Sequence, residues 1–287
     1  MNTHPARPAH TLFDFHVRLA PRPEALPRLL AALDAAGSAQ AAVCAGGVIA
    51  LDQLSRQLVE GGHTTADADN DAVLAACRAH PGRLVPFWFG NPHRPAAEYA
   101  ERAPEFRGLE LSPAVHGEPL GSPRSKALIA VAQQHGHCVY TVCLERPGCR
   151  VADLTELAAR HPETVFVLGH AGVGNIDYYG IALIEPYPNI LLETSGGYST
   201  VLRRALGVLG PDRVLFGSEY PLQHPVVELA KFAAAGVSEE EWRLAGRENA
   251  LRLLGPVPSS PPASRRPALG PAPAGPGRRE AGALIDR

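Results

Sequence analysis

The sequence predicts an α/β fold, a closed (β/α)8 TIM barrel, from three observations. Short apolar runs alternate with helical stretches along most of the chain. Strand then helix, repeated, calls for a parallel sheet covered by helices, and the number of repeats suits a closed barrel better than an open sheet. At 287 residues, the chain also has the size of one barrel domain, which typically needs about 250. An open doubly wound sheet is the alternative architecture.

The first strand is read from Leu12-Phe13-Asp14-Phe15-His16-Val17-Arg18. Alternation puts Leu12, Asp14, His16 and Arg18 on one face. A polar triplet aimed into one volume is costly unless it serves a site. Helices are expected over 24–36, 72–80, 125–135, 151–161, 200–210 and 238–254, with apolar runs between them. No G-x-G-x-x-G follows the first strand, and Gly46-Gly47 after the second is not a phosphate-binding fingerprint, so no dinucleotide cofactor is expected. The domain is placed at 11–255. From 256 to 287 the chain turns to Pro, Ala, Gly, Ser and Arg, a composition that buries too little to offset its ordering entropy and reads as a disordered tail.

Composition narrows the function classes. Lys plus Arg number 27 against 29 Asp plus Glu, for a net charge of −2, so no basic excess points to nucleic acid or an anionic membrane. Residues 1–10 carry no apolar core of a secretion signal, no run is long enough to span a bilayer, and a cytoplasmic location is expected. The five cysteines, Cys44, Cys77, Cys138, Cys143 and Cys149, lack paired C-x-x-C spacing and read as reduced, mostly buried thiols. A small-molecule substrate is the expected partner.

The order of motifs carries a resemblance. Asp14-Phe15-His16-Val17-Arg18 is similar to the D-x-H-x-H opening of the amidohydrolase-related family, which includes aminocarboxymuconate semialdehyde decarboxylase. Pro81 to Phe87 with Asn91-Pro92 resembles the family's third strand, and Arg107 to Pro113 its fourth. Val165 to Gly172, with His170, resembles the sixth, Asn189 to Gly196 the seventh, and Leu215-Phe216-Gly217-Ser218-Glu219-Tyr220-Pro221 the last. Asn249 to Leu254 closes the match. The resemblance implies a barrel enzyme, often dimeric, with reactive groups at the C-terminal strand ends.

Those ends hold His16, Arg18, Ser112, His116, His170, Ser195 and Glu219. The family's metal site would take two histidines from strand one, one from strand five and an aspartate from strand eight. Here Arg18 replaces the second histidine, Glu219 replaces the aspartate, and Val142 falls where strand five would supply its ligand, with Thr141 or Cys143 there if the register slips by one. A permanent cation beside a divalent metal is repelled. No metal is therefore favoured; a single zinc or other divalent ion, if bound, would use His16 and Glu219.

The resemblance also implies that chemistry survives without the metal, as in lactone hydrolases similar to this family. Glu219 becomes the base, its pKa raised by burial or lowered by Arg18; His170 shares or relays the proton. With His16 these form the expected catalytic set. Arg18 is expected to bind a substrate carboxylate or the developing oxyanion. His116, Ser195, Tyr198 and Trp88 are candidate pocket walls, while Asp14 orients its neighbours. Ser195 has no G-x-S-x-G setting, so it is not read as a nucleophile. The expected activity is hydrolysis of a small carboxylated ester, lactone or amide-like substrate. The alternatives are a nonoxidative decarboxylase and an inactive chain that binds a small molecule or protein.

Overall fold

The computed structural model describes residues 12–255, so the expected tail at 256–287 lies outside the described residues. The strands are β1 (Leu12–Leu19), β2 (Ser38–Ala45), β3 (Leu84–Pro86), β4 (Trp88–Gly90), β5 (Gly108–Leu111), β6 (Cys138–Thr141), β7 (Phe166–Leu168), β8 (Ile190–Glu193) and β9 (Val214–Leu215). All neighbouring pairs are parallel, in two arcs: β1–β2–β3 and β4 through β9.

The arcs meet at both ends. β3 and β4 are one run broken at Phe87, whose N–H donates to the Val43 carbonyl at 2.9 Å. On the other side the chain after β9 lies along β1. Phe15 N donates to Phe216 O at 2.9 Å, Glu219 N to His16 O at 2.8 Å, and Arg18 N to Tyr220 O at 2.7 Å. Joined this way, the strands form a ring of eight.

A ring strand is buried on both faces, and β1 shows the consequence. Phe13, Phe15 and Val17 face one core cluster with Leu29, Leu33 and Val73, while Asp14 and His16, on the alternate face, are buried as well. The pairing of β1 with β2 is irregular between Asp14 and Val17. Asp14 accepts from Ser218 N at 2.9 Å and Ser218 Oγ at 2.6 Å, a stitch from the first strand to the last. Burial pushes its carboxyl up to about 7 against the opposing pull of those hydrogen bonds.

The expected helices form near their expected positions, at Ala25–Ala35, Asn70–Ala79, Pro123–Gln134, Val151–Arg160 and Ser199–Leu209, and from Glu239 on through a π-helical turn to Leu254. Five further helices, Leu51–Glu60, Ala96–Arg102, Pro113–His116, Tyr178–Ile184 and Pro225–Ala234, fall outside the sequence expectation. The first of these carries one buried residue, Gln57, so the core imposes little apolar period on it. No helix among the described residues is long and apolar enough to cross a membrane.

Truncating Asp14→Ala leaves the Ser218 N–H and hydroxyl buried without an acceptor. The expected loss is about 2–4 kcal/mol of stability, read as a lowered urea midpoint at unchanged m-value; an unchanged midpoint would refute the closure role.

Candidate active site

Five polar side chains meet at the C-terminal ends of β1, β5, β7 and β9. Arg18 Nη2 donates to Glu110 Oε1 at 2.7 Å, and its Nε lies 3.5 Å from Glu219 Oε1. The other oxygen of Glu219 is 2.8 Å from His170 Nδ1. His16 Nε2 stands 3.0 Å from Glu110 Oε2, and its ring stacks on Tyr140 at 4.0 Å and 7°. Carboxylates thus alternate with nitrogen groups: His16, Glu110, Arg18, Glu219, His170.

Their protonation follows from this order. Burial raises the Glu219 carboxyl, but His170 and Arg18 together pull it further down, to about 2. Burial likewise works against ionised Glu110, and Arg18 and His16 more than reverse it, leaving Glu110 well below the carboxylate range. For His170, desolvation favours the neutral ring, yet Glu219 and then Glu193 outweigh it and hold the imidazole above its ordinary value. Of the two directions left open for Glu219, the structure shows lowering.

A second layer fixes His170. The fully buried Glu193, last residue of β8, accepts from Tyr140 Oη at 2.8 Å, Ser195 Oγ at 2.9 Å, His170 N at 3.1 Å and Ser195 N at 2.6 Å. Ser195 Oγ, its proton given to Glu193, faces His170 Nδ1 at 2.9 Å. Nδ1–H is therefore shared between Ser195 and Glu219, and Nε2 has no protein partner among the described residues. Gly169 leaves room for the Tyr140 hydroxyl, which an added Cβ would approach to 2.3 Å. His170, Ala171 and Glu219 have φ of 58°, 55° and 56°, a left-handed conformation that strains non-glycine residues. The bond from Ala171 N to Glu193 O at 2.8 Å and that from Glu219 N to His16 O at 2.8 Å hold them there.

Arg18, His170 and Glu219 line the floor of a cleft of about 520 Å³. His16 sits behind that floor, buried. Ser195 is also buried behind it. His116 is buried with Nε2 3.1 Å from the Ala66 carbonyl, backing the wall formed by Ala114 and Val115 without lining the cleft itself. Trp88 lies elsewhere, stacked at 5.5 Å on Tyr99 and edge-on to Phe106 at 5.2 Å. Tyr198, at 58% exposure, is a surface residue that does not line the cleft. Of the expected pocket walls, Trp88 and Tyr198 are thus displaced, because one packs in the helix layer and the other caps a helix on the outside. Val142 and Cys143 do line the cleft. Burial pushes the Cys143 thiol up, away from the thiolate a zinc ligand requires.

Glu110, Glu193 and Tyr140 were not read as site residues. A signal existed: Gly108-Leu109-Glu110-Leu111-Ser112 and Leu191-Leu192-Glu193-Thr194-Ser195 each hold one carboxylate inside a short apolar strand, which must find partners. Which partners lay across the barrel could not be read.

The donor atoms of His16, His170 and Glu219 lie within 4.8 Å of one another. Two imidazoles and a carboxylate are donors that divalent ions accept, and Glu110 compensates the Arg18 charge, so the residues fit a three-ligand cation site. The sequence expectation favours no metal and gives His16 and Glu219 as ligands if one binds; the structure adds His170 as a third donor. A divalent ion is possible here.

Comparison with known proteins agrees with this architecture. The family model described as Amidohydrolase matches residues 13–255, and the chain belongs to that family. Its members are enzymes and TIM barrels, and the described fold is of that kind. Among solved structures, a provisionally named 2-pyrone-4,6-dicarboxylic acid hydrolase from Pseudomonas putida aligns with TM-score 0.65 at 20% identity, covering 85% of this chain and 97% of that one. A 5-carboxyvanillate decarboxylase from Novosphingobium aromaticivorans, with bound manganese, aligns with TM-score 0.64 at 15% identity over 85% and 97%. A 2,6-dihydroxybenzoate decarboxylase from Rhizobium aligns with TM-score 0.61 at 16% identity over 85% and 98%. No curated protein matches.

If Glu193 helps hold the His170 proton, Glu193→Gln lowers the His170 pKa in metal-free protein. An NMR titration of labelled imidazole carbons measures it, and a pKa equal to that of the parent would refute the assignment.

Proposed function

We propose that the chain is a hydrolase acting on a small carboxylated ester, lactone or amide-like substrate. The observation that carries this reading is the His170 Nδ1 to Glu219 Oε2 contact of 2.8 Å on the cleft floor, beside Arg18. The raised pKa of His170 and the lowered pKa of Glu219 favour the imidazolium–carboxylate form of the pair, an acid and a base in direct contact.

Arg18 receives the substrate carboxylate or the carbonyl oxygen on its remaining N–H groups. A carboxylate drawn onto Arg18 offsets part of the positive field that depresses Glu219, making Glu219 a stronger base. Water then attacks the carbonyl carbon and passes its proton to Glu219. His170 Nε2–H lies free to donate to the carbonyl oxygen and then to the departing alkoxide or amine. One hydroxyl has been added and one C–O or C–N bond broken. Glu219 now holds a proton and His170 Nε2 lacks one; Nδ1 keeps its own proton across the 2.8 Å contact, so the two groups reset by exchange with water in the open cleft.

A second reading is a nonoxidative decarboxylase, favoured by the cluster of His16, His170 and Glu219 together with the manganese bound in the 5-carboxyvanillate decarboxylase. A divalent ion held by those three residues would supply a Lewis acid and an activated water. Arg18 would still orient a carboxylate, and Glu110 would still offset its charge.

Three measurements test these readings. Glu219→Gln lowers turnover by about 10²- to 10⁴-fold while ligand affinity is largely kept; undiminished turnover sinks the base assignment, and binding with no turnover in either protein identifies an inactive binder. The pH profile follows from the signs. Glu219 acts as carboxylate and protonates only as pH falls through about 2, so the acidic limb is remote. His170 acts as imidazolium with a raised pKa, so activity is full below that pKa and is lost as pH rises through it. A profile rising through neutral pH refutes this. Metal must displace the His170 proton and tolerate Arg18, so occupancy after equilibration with zinc, read by elemental mass spectrometry, is expected to be partial at pH 6 and higher at pH 8. One ion per chain surviving dialysis at pH 6 overturns the metal-independent reading.

A further inference from the structure

Arg18 is not the only cation of the cleft. Arg146, on the loop that leaves β6, lines the same space. That loop is a closed turn: Leu144 N donates to Cys149 O at 2.8 Å, Arg146 N to Leu144 O at 2.8 Å and Cys149 N to Arg146 O at 3.0 Å. Leu120 N, donating to Gly148 O at 2.8 Å, ties it to the chain after β5. The backbone of Arg146 is thus fixed, but its side chain is not engaged. Glu145, the carboxylate beside it in sequence, is drawn to Arg150 at 3.9 Å. Nη2 of Arg146 is out of water and has no hydrogen-bond partner among the described residues. A guanidinium N–H withdrawn from water without an acceptor costs free energy that an anionic oxygen recovers.

Arg18 differs, being held by Glu110 at 2.7 Å and Glu219 at 3.5 Å beside the reacting groups. Much of the remaining lining is apolar. Leu51, Leu54 and Leu58 recur at helical spacing on one face of Leu51–Glu60, and Val142 and Leu144 continue from β6 toward Arg146. We infer that Arg146 is an anion subsite of this cleft separate from Arg18. The substrate then carries a carboxylate or other anionic oxygen group remote from the reacting acyl group and joined to it by an apolar body. The placing of the acyl group rests on the hydrolytic reading of the floor, whereas the subsite is read by binding alone.

The test is calorimetric binding to the full chain of straight-chain dicarboxylates from butanedioate to decanedioate, beside monocarboxylates of matched length. Two cations held at the ends of β1 and β6 set one spacing, so dicarboxylate affinity peaks at one chain length. There it exceeds that of the monocarboxylate by about tenfold, the worth of one charge-assisted hydrogen bond. Arg146→Met brings that ratio close to unity, while Arg146→Lys, which keeps the charge without the planar fork, retains part of it. Arg22→Met removes the same charge from an exposed site outside the cleft lining and leaves the ratio as in the parent. Thermal melts verify the fold of each variant. A phosphonocarboxylate of the best length distinguishes the two anionic groups: binding tighter than the dicarboxylate assigns the subsite to a phosphate-like group, and weaker binding assigns it to a carboxylate. No advantage for dicarboxylates, an advantage without a best length, one that survives Arg146→Met or falls equally in Arg22→Met, or absence of binding each overturns the inference. Binding is read without turnover, so the two readings fail separately. A ratio that depends on Arg146 in a protein that hydrolyses no ester or lactone keeps the subsite and removes the hydrolytic reading. Hydrolysis that needs Glu219 but shows no preference for a remote anionic group does the reverse.

Discussion

Two carboxylates and their cationic partners sit side by side at the end of the barrel, out of bulk water, and much of the structure exists to let them do so. Glu110 and Glu219 each touch Arg18, and His16 and His170 close the two ends of the chain. A buried ion separated from its partner costs about 3–5 kcal/mol, so none of these groups can be removed without exposing the charge of another. They come from β1, from β5 and from the loops after β7 and β9, so the charge balance doubles as a tie between distant strand ends.

Geometry at those ends is maintained against local preference. His170, Ala171 and Glu219 hold left-handed backbone that only glycine adopts freely. The strain persists because Glu193 and His16 supply hydrogen-bond partners at fixed places. Glu193 lies one step behind the cleft floor and touches His170 by its main chain and, through Ser195, by its ring. Preorganisation of this kind lets a proton sit at one nitrogen of His170 and leaves the other nitrogen available.

The donor atoms of the pocket floor fit either a shared proton or a divalent ion. Two donors bound to one ion at about 2.1 Å stand roughly 3 Å apart, close to the separation of two hydrogen-bonded atoms. The 2.8 Å contact of His170 and Glu219 is compatible with both. Arg18 shifts the balance toward the proton and Glu110 shifts it back.

The sequence by itself determined the parallel strand–helix repeat, the polar face of Asp14, His16 and Arg18, and the strand-end positions of His170 and Glu219. Those features are local, since alternation along one strand and a residue's place after an apolar run need no knowledge of the neighbours. Tertiary structure alone decided the rest. Glu110 became the partner of Arg18 because β5 faces β1 across the barrel, 92 residues away in sequence. Trp88 and Tyr198 left the pocket because the strand break at Phe87 and the helix start at Ser199 turn them outward. Leu51–Glu60 escaped the periodicity reading because its leucines face a cleft and its single buried residue is polar. The direction of the Glu219 shift depended on cations from β1 and the loop after β7. Such pairings are set by how strands close into a ring, and a linear pattern records only that each residue needs a partner.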